Sequence, residues 1–496
     1  MEELIYKSTR DNTIKVKASE AILKGLSDDG GLFIPDRIPK LDKSMKEFAK
    51  MTYAETAFEI MKLYFTDFSE QELKNCISHA YDDKFDTSVI VPLAEADGAF
   101  YLELFHGPTI AFKDMALSIL PYLMTTAATK NNIKNDIVIL TATSGDTGKA
   151  ALAGFSGVEG TKIVVFYPKN GVSFIQERQM VTQKGENTYV VGIHGNFDDA
   201  QTGVKEIFSD KLFASELNEK GYQLSSANSI NIGRLVPQIV YYVYAYARLL
   251  EGGKIADGEL INVVVPTGNF GNILAAYFAK NMGVPIHKLI CASNDNKVLY
   301  DFFKTGEYNK NREFILTSSP SMDILISSNL ERLVYLIADH NSDIDKQFMS
   351  QLVKEGNYTI TDEMKCKLDD FYGGYASSDD TFHKINSLYN HTGYVLDTHT
   401  AVASAVYDKY KNETKDNTKA VIASTASPFK FANSVMKAIE GKEEKESDFA
   451  LINRLSQIAN VDIPNAIKEI ESAEILHDHV CEIRDMKEEV KNFLNM

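Results

Sequence analysis

One lysine of the sequence is placed where it could act as a nucleophile or as a base. Lys113 lies in the segment AFKDMAL at 111–117, where most of its neighbours are apolar. Burial disfavours the charged form of an amine and lowers its pKa, which enables a lysine to form a Schiff base or to accept a proton. Taken alone, the segment is more typical of a surface lysine whose methylene stem lies on apolar neighbours while its charge stays in water.

A second segment could hold a phosphate group. In VVVPTGNFGN at 263–272 an apolar run ends in a short loop bracketed by two glycines, and a helical pattern starts at Asn272. Glycines let a backbone approach a ligand closely, and N–H groups at a helix N-terminus can surround a phosphate dianion. The spacing matches neither GxGxxG nor GxxxxGK[ST], so the loop by itself predicts either a phosphate site or an ordinary turn.

Two further strand ends carry clusters of small hydrogen-bonding residues. In LTATSGDTGK at 140–149 the loop offers donors that could wrap a carboxylate. Lys149 follows Gly145 too closely for a nucleoside triphosphate loop, and no Ser or Thr follows it. The second cluster, ASTASPFKF at 423–431, has a turn as its simplest interpretation when taken alone.

Composition excludes several classes of protein. The chain has 496 residues, a net charge of −17 and 44% hydrophobic residues, which indicates a large core and no general affinity for nucleic acid or anionic membranes. Four scattered cysteines without a CxxC pair, and no histidine pair at helical spacing, argue against disulfides and metal sites. The first residues show no secretory or transit pattern, and no apolar run is long enough to span a membrane. We therefore expect a cytoplasmic protein.

The elements that must position these loops are short, apolar, β-branched runs, each followed by a helical pattern. Such runs predict parallel sheets buried on both faces, whose ligands bind beyond the carboxyl ends of the strands. They form two groups separated by the segment at 252–258. The predicted fold is α/β, with two open, mostly parallel sheets and a mainly helical N-terminal portion. The predicted domains are 1–94, 95–250 and 251–496.

Taken together, the motifs resemble the threonine synthase family of pyridoxal-phosphate enzymes, which belong to fold type II and share the tryptophan synthase β fold. The resemblance covers nearly the whole chain. Its pieces are YKSTR at 6–10, GLSDDGGLFIP at 25–35, LFHGPTIAFKD at 104–114, LTATSGDTGKAA at 140–151, SANSINIGRL at 226–235, VPTGNFGN at 265–272, DTHTAVA at 397–403 and STASPFKF at 424–431.

The resemblance implies roles for particular residues. Lys113 would be the Schiff-base lysine, and the hydroxyl of Thr425 would face the pyridine nitrogen of the cofactor. The cofactor phosphate would lie in a cup formed by Gly268, Asn269, Phe270, Gly271 and Asn272. The substrate carboxylate would be covered by Ser144, Gly145, Asp146 and Thr147. Asp146 would need a hydrogen-bonding intermediary or a different role, because an anion beside a carboxylate is unfavourable.

The implied reaction is that of a lyase in the last step of threonine biosynthesis. Phosphate would be eliminated from the γ position of O-phospho-L-homoserine, and water would add at Cβ to give L-threonine. A dianionic substrate in an acidic protein needs a local cationic site, and we expect Arg234, with Asn228 shortly before it, to bind the substrate phosphate. Lys149 and Lys205 are weaker candidates, and a surface arginine near a helix end is the alternative.

Other functions remain open on the sequence alone. Within pyridoxal-phosphate chemistry the alternative is a serine/threonine dehydratase or a β-replacing synthase. A nicotinamide-dependent oxidoreductase would need a glycine triplet that the sequence lacks, and a catalytically inactive sensor is disfavoured by the presence of Lys113 and Thr425. The expected partner is a small molecule, without nucleic acid or membrane, and the expected assembly is a monomer or a homodimer.

Overall fold

The computed structural model describes residues 3–443 and 445–496. In chain order the strands are β1 Tyr6–Ser8, β2 Asp11–Val16, β3 Phe33–Pro35, β4 Leu93–Ala96, β5 Ala99–Glu103, β6 Asp136–Ala142, β7 Thr161–Pro168, β8 Thr188–Ile193, β9 Tyr222–Ser225, β10 Ile261–Pro266, β11 Ile286–Ser293, β12 Glu307–Asn309, β13 Asn357–Thr359, β14 Phe371–Tyr375, β15 Ala420–Ser424 and β16 Val480–Cys481.

The α-helices are α1 Ala18–Lys24, α2 Met45–Phe48, α3 Tyr53–Tyr64, α4 Glu70–Ala80, α5 Asp114–Leu117, α6 Leu120–Lys130, α7 Asp146–Phe155, α8 Phe174–Val181, α9 Phe197–Ser209, α10 Lys211–Glu219, α11 Ile232–Glu251, α12 Gly271–Met282, α13 Val298–Thr305, α14 Leu330–Ile337, α15 Ser342–Lys354, α16 Asp362–Cys366, α17 Ser378–Thr392, α18 Thr398–Thr414, α19 Ala432–Glu440, α20 Asp448–Ala459, α21 Asn465–Glu471 and α22 Met486–Leu494. Short 3₁₀ helices cover Pro320–Met322, Pro428–Phe431 and Ile483–Asp485.

Two sheets form the framework, as the apolar runs predict. Within the described residues, the larger sheet has the strand order β14-β11-β10-β15-β5-β4, and its neighbours are parallel except for the antiparallel pair β4–β5. The smaller sheet has the order β16-β8-β7-β6-β9, with every pairing parallel. Strands β10 and β15 are buried along their whole length, because helices cover both faces.

The sheets do not follow the predicted domain ranges strictly. Strand β5, in the range 95–250, pairs with β15 of the larger sheet, and β16, in the range 251–496, pairs with β8 of the smaller sheet. A strand joins the sheet whose edge it meets in space, and the order of strands along the chain does not show which sheet that is. The division at 1–94, 95–250 and 251–496 therefore stays a prediction.

The N-terminal portion is mainly helical, as predicted, and it also contains the antiparallel sheet β2-β1-β3. Helices α2, α3 and α4 begin at the capping boxes of Ser44, Thr52 and Ser69, where each side chain accepts a backbone N–H and a glutamate returns the bond. Helices α2 and α3 pack on α11. The N-terminal portion is thereby fixed to the long helix that reaches the site described below.

Helix α11 is buried over most of its circumference. The tyrosine-rich stretch at 238–246 lies within it and is buried. Tyr241 and Tyr242 donate hydrogen bonds to Oδ1 of Asn272, at the start of α12. Arg234 lies in the first turn of α11, so this helix connects the N-terminal portion with two of the predicted site segments.

The C-terminal segment crosses from one sheet to the other. Residues of α20 and α21 pack in the core beside the larger sheet, whereas β16 and α22 pack in the core of the smaller sheet. Between them, Arg178 on α8 donates hydrogen bonds to the backbone carbonyls of Ile470 at 2.8 Å, Glu471 at 3.3 Å and Ala473 at 2.7 Å. Arg178 therefore contributes three of the hydrogen bonds that hold the crossing segment on α8, and the backbone N–H groups of Leu476 and His477 donate to the carbonyl of Val181.

We expect Arg178→Ala to lower the free energy of unfolding by about 1–2 kcal/mol, because hydrogen bonds from a charged donor to backbone carbonyls are lost. Urea unfolding followed by circular dichroism measures the change. Arg484→Ala is the matched control, since the Arg484 side chain is 84% exposed beside Asp485 at 3.7 Å. Equal unfolding midpoints for Arg178→Ala and the wild type would show that Arg178 does not stabilise the crossing.

In the part of the chain that the structure describes, no helix combines the length and the apolar character needed to cross a membrane.

Candidate active site

The four predicted segments meet at one place because each follows the carboxyl end of a parallel strand. The lysine segment follows β5, the hydroxyl cluster follows β15, and the glycine-rich loop follows β10, and these three strands are neighbours in the larger sheet. The segment at 143–149 follows β6 in the smaller sheet. The carboxyl ends of parallel strands are where open α/β sheets bind ligands.

Lys113 is held by the segment after β15. Phe112 donates its backbone N–H to the carbonyl of Thr425 at 2.8 Å, and Ser427 donates to the carbonyl of Ile110 at 3.0 Å. Lys113 is mostly buried. Burial lowers the pKa of its amine, Asp146 opposes this change, and the nearby charges of Lys430 and Arg234 lower the pKa further. A lowered pKa is the condition under which Lys113 could act as a nucleophile or a base.

Asp146 lies at the centre of a buried hydrogen-bond network. Its Oδ1 accepts from Nζ of Lys430 at 2.9 Å and from Nε2 of Gln176 at 2.9 Å, and its Oδ2 accepts from Oγ of Ser321 at 2.9 Å. Oδ2 is also 3.6 Å from Nζ of Lys113. Although burial opposes it, the charges of Lys430 and Lys113 hold the pKa of Asp146 well below its usual range. Asp146 is therefore an anion that faces lysine amines.

The backbone of the segment at 143–149 is fixed from within. Oγ1 of Thr143 accepts the N–H groups of Gly145 and Gly148, each at 2.9 Å. Gly145 has φ +132°, and a Cβ there would meet the side chain of Gln176 at 2.4 Å, so this position requires glycine. Ser144 is exposed and Thr147 is half-buried, which leaves both hydroxyls at the surface of the loop.

The glycine-rich loop brings backbone close to a neighbouring segment. Phe270 has φ +64°, and α12 begins directly after it at Gly271. Asn269 accepts the backbone N–H of Asn329 at 3.1 Å, and Gly268 accepts the hydroxyl of Ser327 at 2.7 Å. Nδ2 of Asn272 is buried without a hydrogen-bond partner among the described residues. A buried, unpaired donor at a helix start is suited to an anionic ligand.

The helix α11 brings a cation to the same place. Arg234 is buried, and burial lowers the pKa of its guanidinium to about 10. Its Nη1 donates to the carbonyl of Ala227 at 3.0 Å, whereas its Nε has no hydrogen-bond partner in residues 3–443 and 445–496. Asn228 is exposed at the turn before α11, where its backbone N–H donates to Ser226. The structure therefore brings Arg234 toward Lys113 and leaves Asn228 at the rim.

Three residues of this network were not predicted from the sequence. Gln176 and Ser321 lie in segments that carry no recognisable pattern. Lys430 lies inside the motif STASPFKF, between Phe429 and Phe431, and this apolar setting, like that of Lys113, is the sequence signal that could have identified it.

His399 and His106 have structural partners. His399 accepts the backbone N–H of Ser321 at Nε2, at 3.2 Å, so its proton lies on Nδ1, which contacts Asp397 at 3.0 Å. His106 lies between Asp86 and Glu103, whose hydrogen bonds raise its pKa to about 9 although burial opposes the shift. Across the described residues, no group of histidine, cysteine and carboxylate side chains could hold a metal ion.

Comparisons with known proteins agree with this geometry. Three family models match the chain: threonine synthase N terminus at residues 5–81, pyridoxal-phosphate dependent enzyme at 92–426, and threonine synthase, C-terminal, at 400–491. The threonine synthase of Schizosaccharomyces pombe is 38% identical over 88% of this chain and 90% of its own length. The chain belongs to the threonine synthase family of pyridoxal-phosphate dependent enzymes.

Other members of the threonine synthase family show the same similarity. Human threonine synthase-like 1 is 42% identical over 86% of this chain, and the match covers 59% of its length, so the chain spans about three fifths of this relative. The crystal structure of yeast threonine synthase aligns with a TM-score of 0.89 at 33% identity over 99% of both chains. The PLP-bound threonine synthase from Brucella melitensis aligns with a TM-score of 0.85 at 32% identity over 99% of this chain and 100% of its own. The fold is thus that of fold-type-II enzymes.

The residues present fit the cofactor of the family, pyridoxal 5′-phosphate. A buried amine of lowered pKa suits its aldehyde, and the unpaired Nδ2 of Asn272 suits its phosphate. The backbone at Gly268 is also close to Ser321, which leaves no room for a side chain. The buried amine and the unpaired amide donor therefore agree with a phosphate-bearing aldehyde.

Gly268→Ala is expected to weaken cofactor binding at least ~10-fold, because the new Cβ would meet the carbonyl oxygen of Ser321 at 2.7 Å and overpacking costs about 1–3 kcal/mol. Absorbance titration of the cofactor-free protein with pyridoxal 5′-phosphate gives the dissociation constant. Gly252→Ala, at the end of α11, is the control. An unchanged dissociation constant in Gly268→Ala would contradict the assignment of this loop.

Proposed function

We propose that the protein is a threonine synthase. It would eliminate phosphate from O-phospho-L-homoserine and add water at Cβ to give L-threonine. The observation that carries the proposal is that a buried lysine amine and a buried guanidinium share one site in a chain of net charge −17. An unpaired buried cation is costly, and a phosphate dianion would compensate it.

The cofactor, when bound, would withdraw electron density from the substrate and so acidify the protons at Cα and Cβ. Lys113 would accept the Cα proton and return protons at later steps, since its amine has the lowered pKa that a base at neutral pH requires. Ser321, whose hydroxyl accepts a hydrogen bond from Lys113 at 3.4 Å, would orient the amine. Proton transfer would thus be carried out by Lys113, with its amine oriented by Ser321.

Binding would be divided among the surrounding segments. The cofactor would be held by Lys113, by the hydroxyl of Thr425 at the ring nitrogen and by the phosphate cup of Gly268, Asn269, Phe270, Gly271 and Asn272. The substrate carboxylate would contact the backbone and hydroxyls of Ser144, Gly145 and Thr147. The substrate phosphate would be bound by Arg234, with Asn228 at the rim. Because the Asp146 carboxylate faces Lys113 and Lys430, we assign it to the lysines rather than to the substrate.

The proposal is tested by incubating the purified protein and pyridoxal 5′-phosphate with O-phospho-L-homoserine and measuring the products. Phosphate and threonine formed in equal amounts would support it. Ammonia and a keto acid formed from threonine or serine, without phosphate release from O-phospho-L-homoserine, would instead identify a dehydratase. Product formation from serine with an added nucleophile would identify a β-replacing synthase.

Assembly and location belong to the same proposal. We infer that the protein is a monomer or a homodimer and that it lies in the cytoplasm. The location is supported by the four scattered cysteines, which fit a reducing compartment. Size-exclusion chromatography with light scattering distinguishes the two assemblies.

A further inference from the structure

Lys430 is a fully buried lysine beside the site, and none of the steps above uses it. It lies in the 3₁₀ helix Pro428–Phe431, and its side chain has no exposed surface. Its Nζ donates to the carbonyl of Thr109 at 3.0 Å and to Oδ1 of Asp146 at 2.9 Å. It therefore joins the segment that leads to Lys113 with the first turn of α7.

Two amines compete for the single negative charge of Asp146. The amine of Lys430 is within hydrogen-bond distance of the carboxylate at 2.9 Å, whereas the amine of Lys113 is 3.6 Å away. Arg234 adds a third positive charge close to Lys113. A buried site does not hold three ammonium or guanidinium charges against one carboxylate without a large desolvation cost. The amine with the more distant partner is the one that is easiest to deprotonate.

We propose that Lys430 is a positioning residue: it occupies the carboxylate of Asp146 and thereby leaves the Lys113 amine free to bind the cofactor and to carry protons. Lys430 touches neither substrate nor cofactor in this role and acts through Asp146. The inference deepens the proposed function, since it rests on Lys113 as the cofactor-binding lysine.

Other charged groups around the pair do not replace Lys430. Asp114 is occupied by Thr109, whose backbone N–H and hydroxyl donate to it at 2.8 and 2.6 Å. Lys149, on α7, donates to Oε1 of Gln183 at 2.6 Å. His399 contacts the backbone of Ser321. Among the described residues, Lys430 and Lys113 are thus the cations in direct reach of Asp146.

Loss of the Lys430 charge has a specific consequence. In Lys430→Met, Asp146 keeps Gln176 and Ser321 as neutral donors and has Lys113 as the nearest cation. Lys113 would then pair fully with Asp146 and stay protonated to higher pH. A protonated amine does not attack an aldehyde, so capture of the cofactor would slow at neutral pH.

The test measures capture of pyridoxal 5′-phosphate by the cofactor-free protein across a pH series. The Lys113 amine condenses with the aldehyde with loss of water, stopped-flow absorbance gives the rate, and borohydride reduction with peptide mass spectrometry locates the adduct at Lys113. We expect the pH profile of Lys430→Met to shift upward by at least ~1 unit, so that capture below the midpoint is about tenfold slower.

Two further variants separate this role from a structural one. Lys430→Arg restores the charge and is expected to keep the wild-type profile. The double variant Lys430→Met with Asp146→Asn removes the competing anion, and its profile is expected to return to lower pH. A Lys430→Met profile that coincides with the wild type, or a double variant that behaves like Lys430→Met, would overturn the proposal.

As a control for correct folding, the thermal unfolding of each cofactor-free variant is measured in parallel. Lys437→Met, on the neighbouring helix α19 with a partly exposed side chain, is the matched control and should leave the profile unchanged. If Lys430→Met fails to fold, Lys430→Gln supplies an uncharged amide donor on a slightly shorter side chain, and the same upward shift is expected. Because no substrate is present, the result is independent of whether threonine is the product.

Discussion

Lys113→Ala is expected to reduce phosphate release from O-phospho-L-homoserine at least ~10⁴-fold. The substitution removes the amine that would bind the cofactor and also the base that would move protons, and acid–base catalysis alone contributes about 10²–10⁴-fold. Phosphate and threonine assays measure the loss. The absorbance of the purified variant should also lack the signal of lysine-bound cofactor.

Two comparisons make this result specific to Lys113. Lys437→Ala removes a partly exposed lysine outside the site and should retain wild-type turnover. Lys113→Ala should unfold at a temperature close to that of the wild type in the cofactor-free state, because a desolvated amine contributes little to stability. Turnover by Lys113→Ala within tenfold of the wild type would assign the chemistry to another residue.

Arg234→Met should separate activity from stability. We expect kcat/KM for O-phospho-L-homoserine to fall about 10²–10³-fold, because truncating one partner of a buried, hydrogen-bonded charge pair costs roughly 2–5 kcal/mol. The free energy of unfolding of the cofactor-free protein should stay equal or rise. The guanidinium is buried without a carboxylate partner among the described residues, so folding must desolvate it without compensation.

An arginine on the same helix provides the contrast. Arg248 donates to the backbone carbonyl of Ala49 at 2.6 Å and pairs with Glu251, and it lies at the far end of α11. Arg248→Met should lower the free energy of unfolding while leaving KM unchanged. Arg234→Lys should recover only part of kcat/KM, since an ammonium cannot bind phosphate in the bidentate manner of a guanidinium. A parallel loss of stability and activity in Arg234→Met would make Arg234 a structural residue.

Much of the fold could be predicted because strand and helix signals are local. The apolar runs at 137–140, 163–167, 261–265 and 420–423 all lie in strands of the two sheets. Helix Tyr53–Tyr64 likewise begins at a local signal, since Thr52 and Glu55 form a capping box at its start. Which sheet each strand joins could not be predicted as well from the sequence. Strand β5 joins the larger sheet and β16 joins the smaller sheet, each outside the range predicted for it.

The candidate site divides in the same way. Lys113, the glycine-rich loop and the segment at 143–149 could be selected as candidates from residue types at strand ends, because glycine, small hydroxyls and an isolated lysine suggest chemistry in their own sequence. The role of Asp146 could not be identified in this way. The sequence is the same whether the Asp146 carboxylate lies next to the substrate carboxylate or pairs with lysines.

By itself, the sequence determined the α/β class, because the class depends on hydrophobic periodicity, and its short motifs indicated the family by resemblance. The residues that would bind the cofactor stay predictions. Only the tertiary structure decided that Lys430, 321 residues from its partner Thr109, shares Asp146 with Lys113. The physical reason is that the pKa of a buried amine depends on every charge within a few ångströms, and folding brings those charges from separate strands and helices.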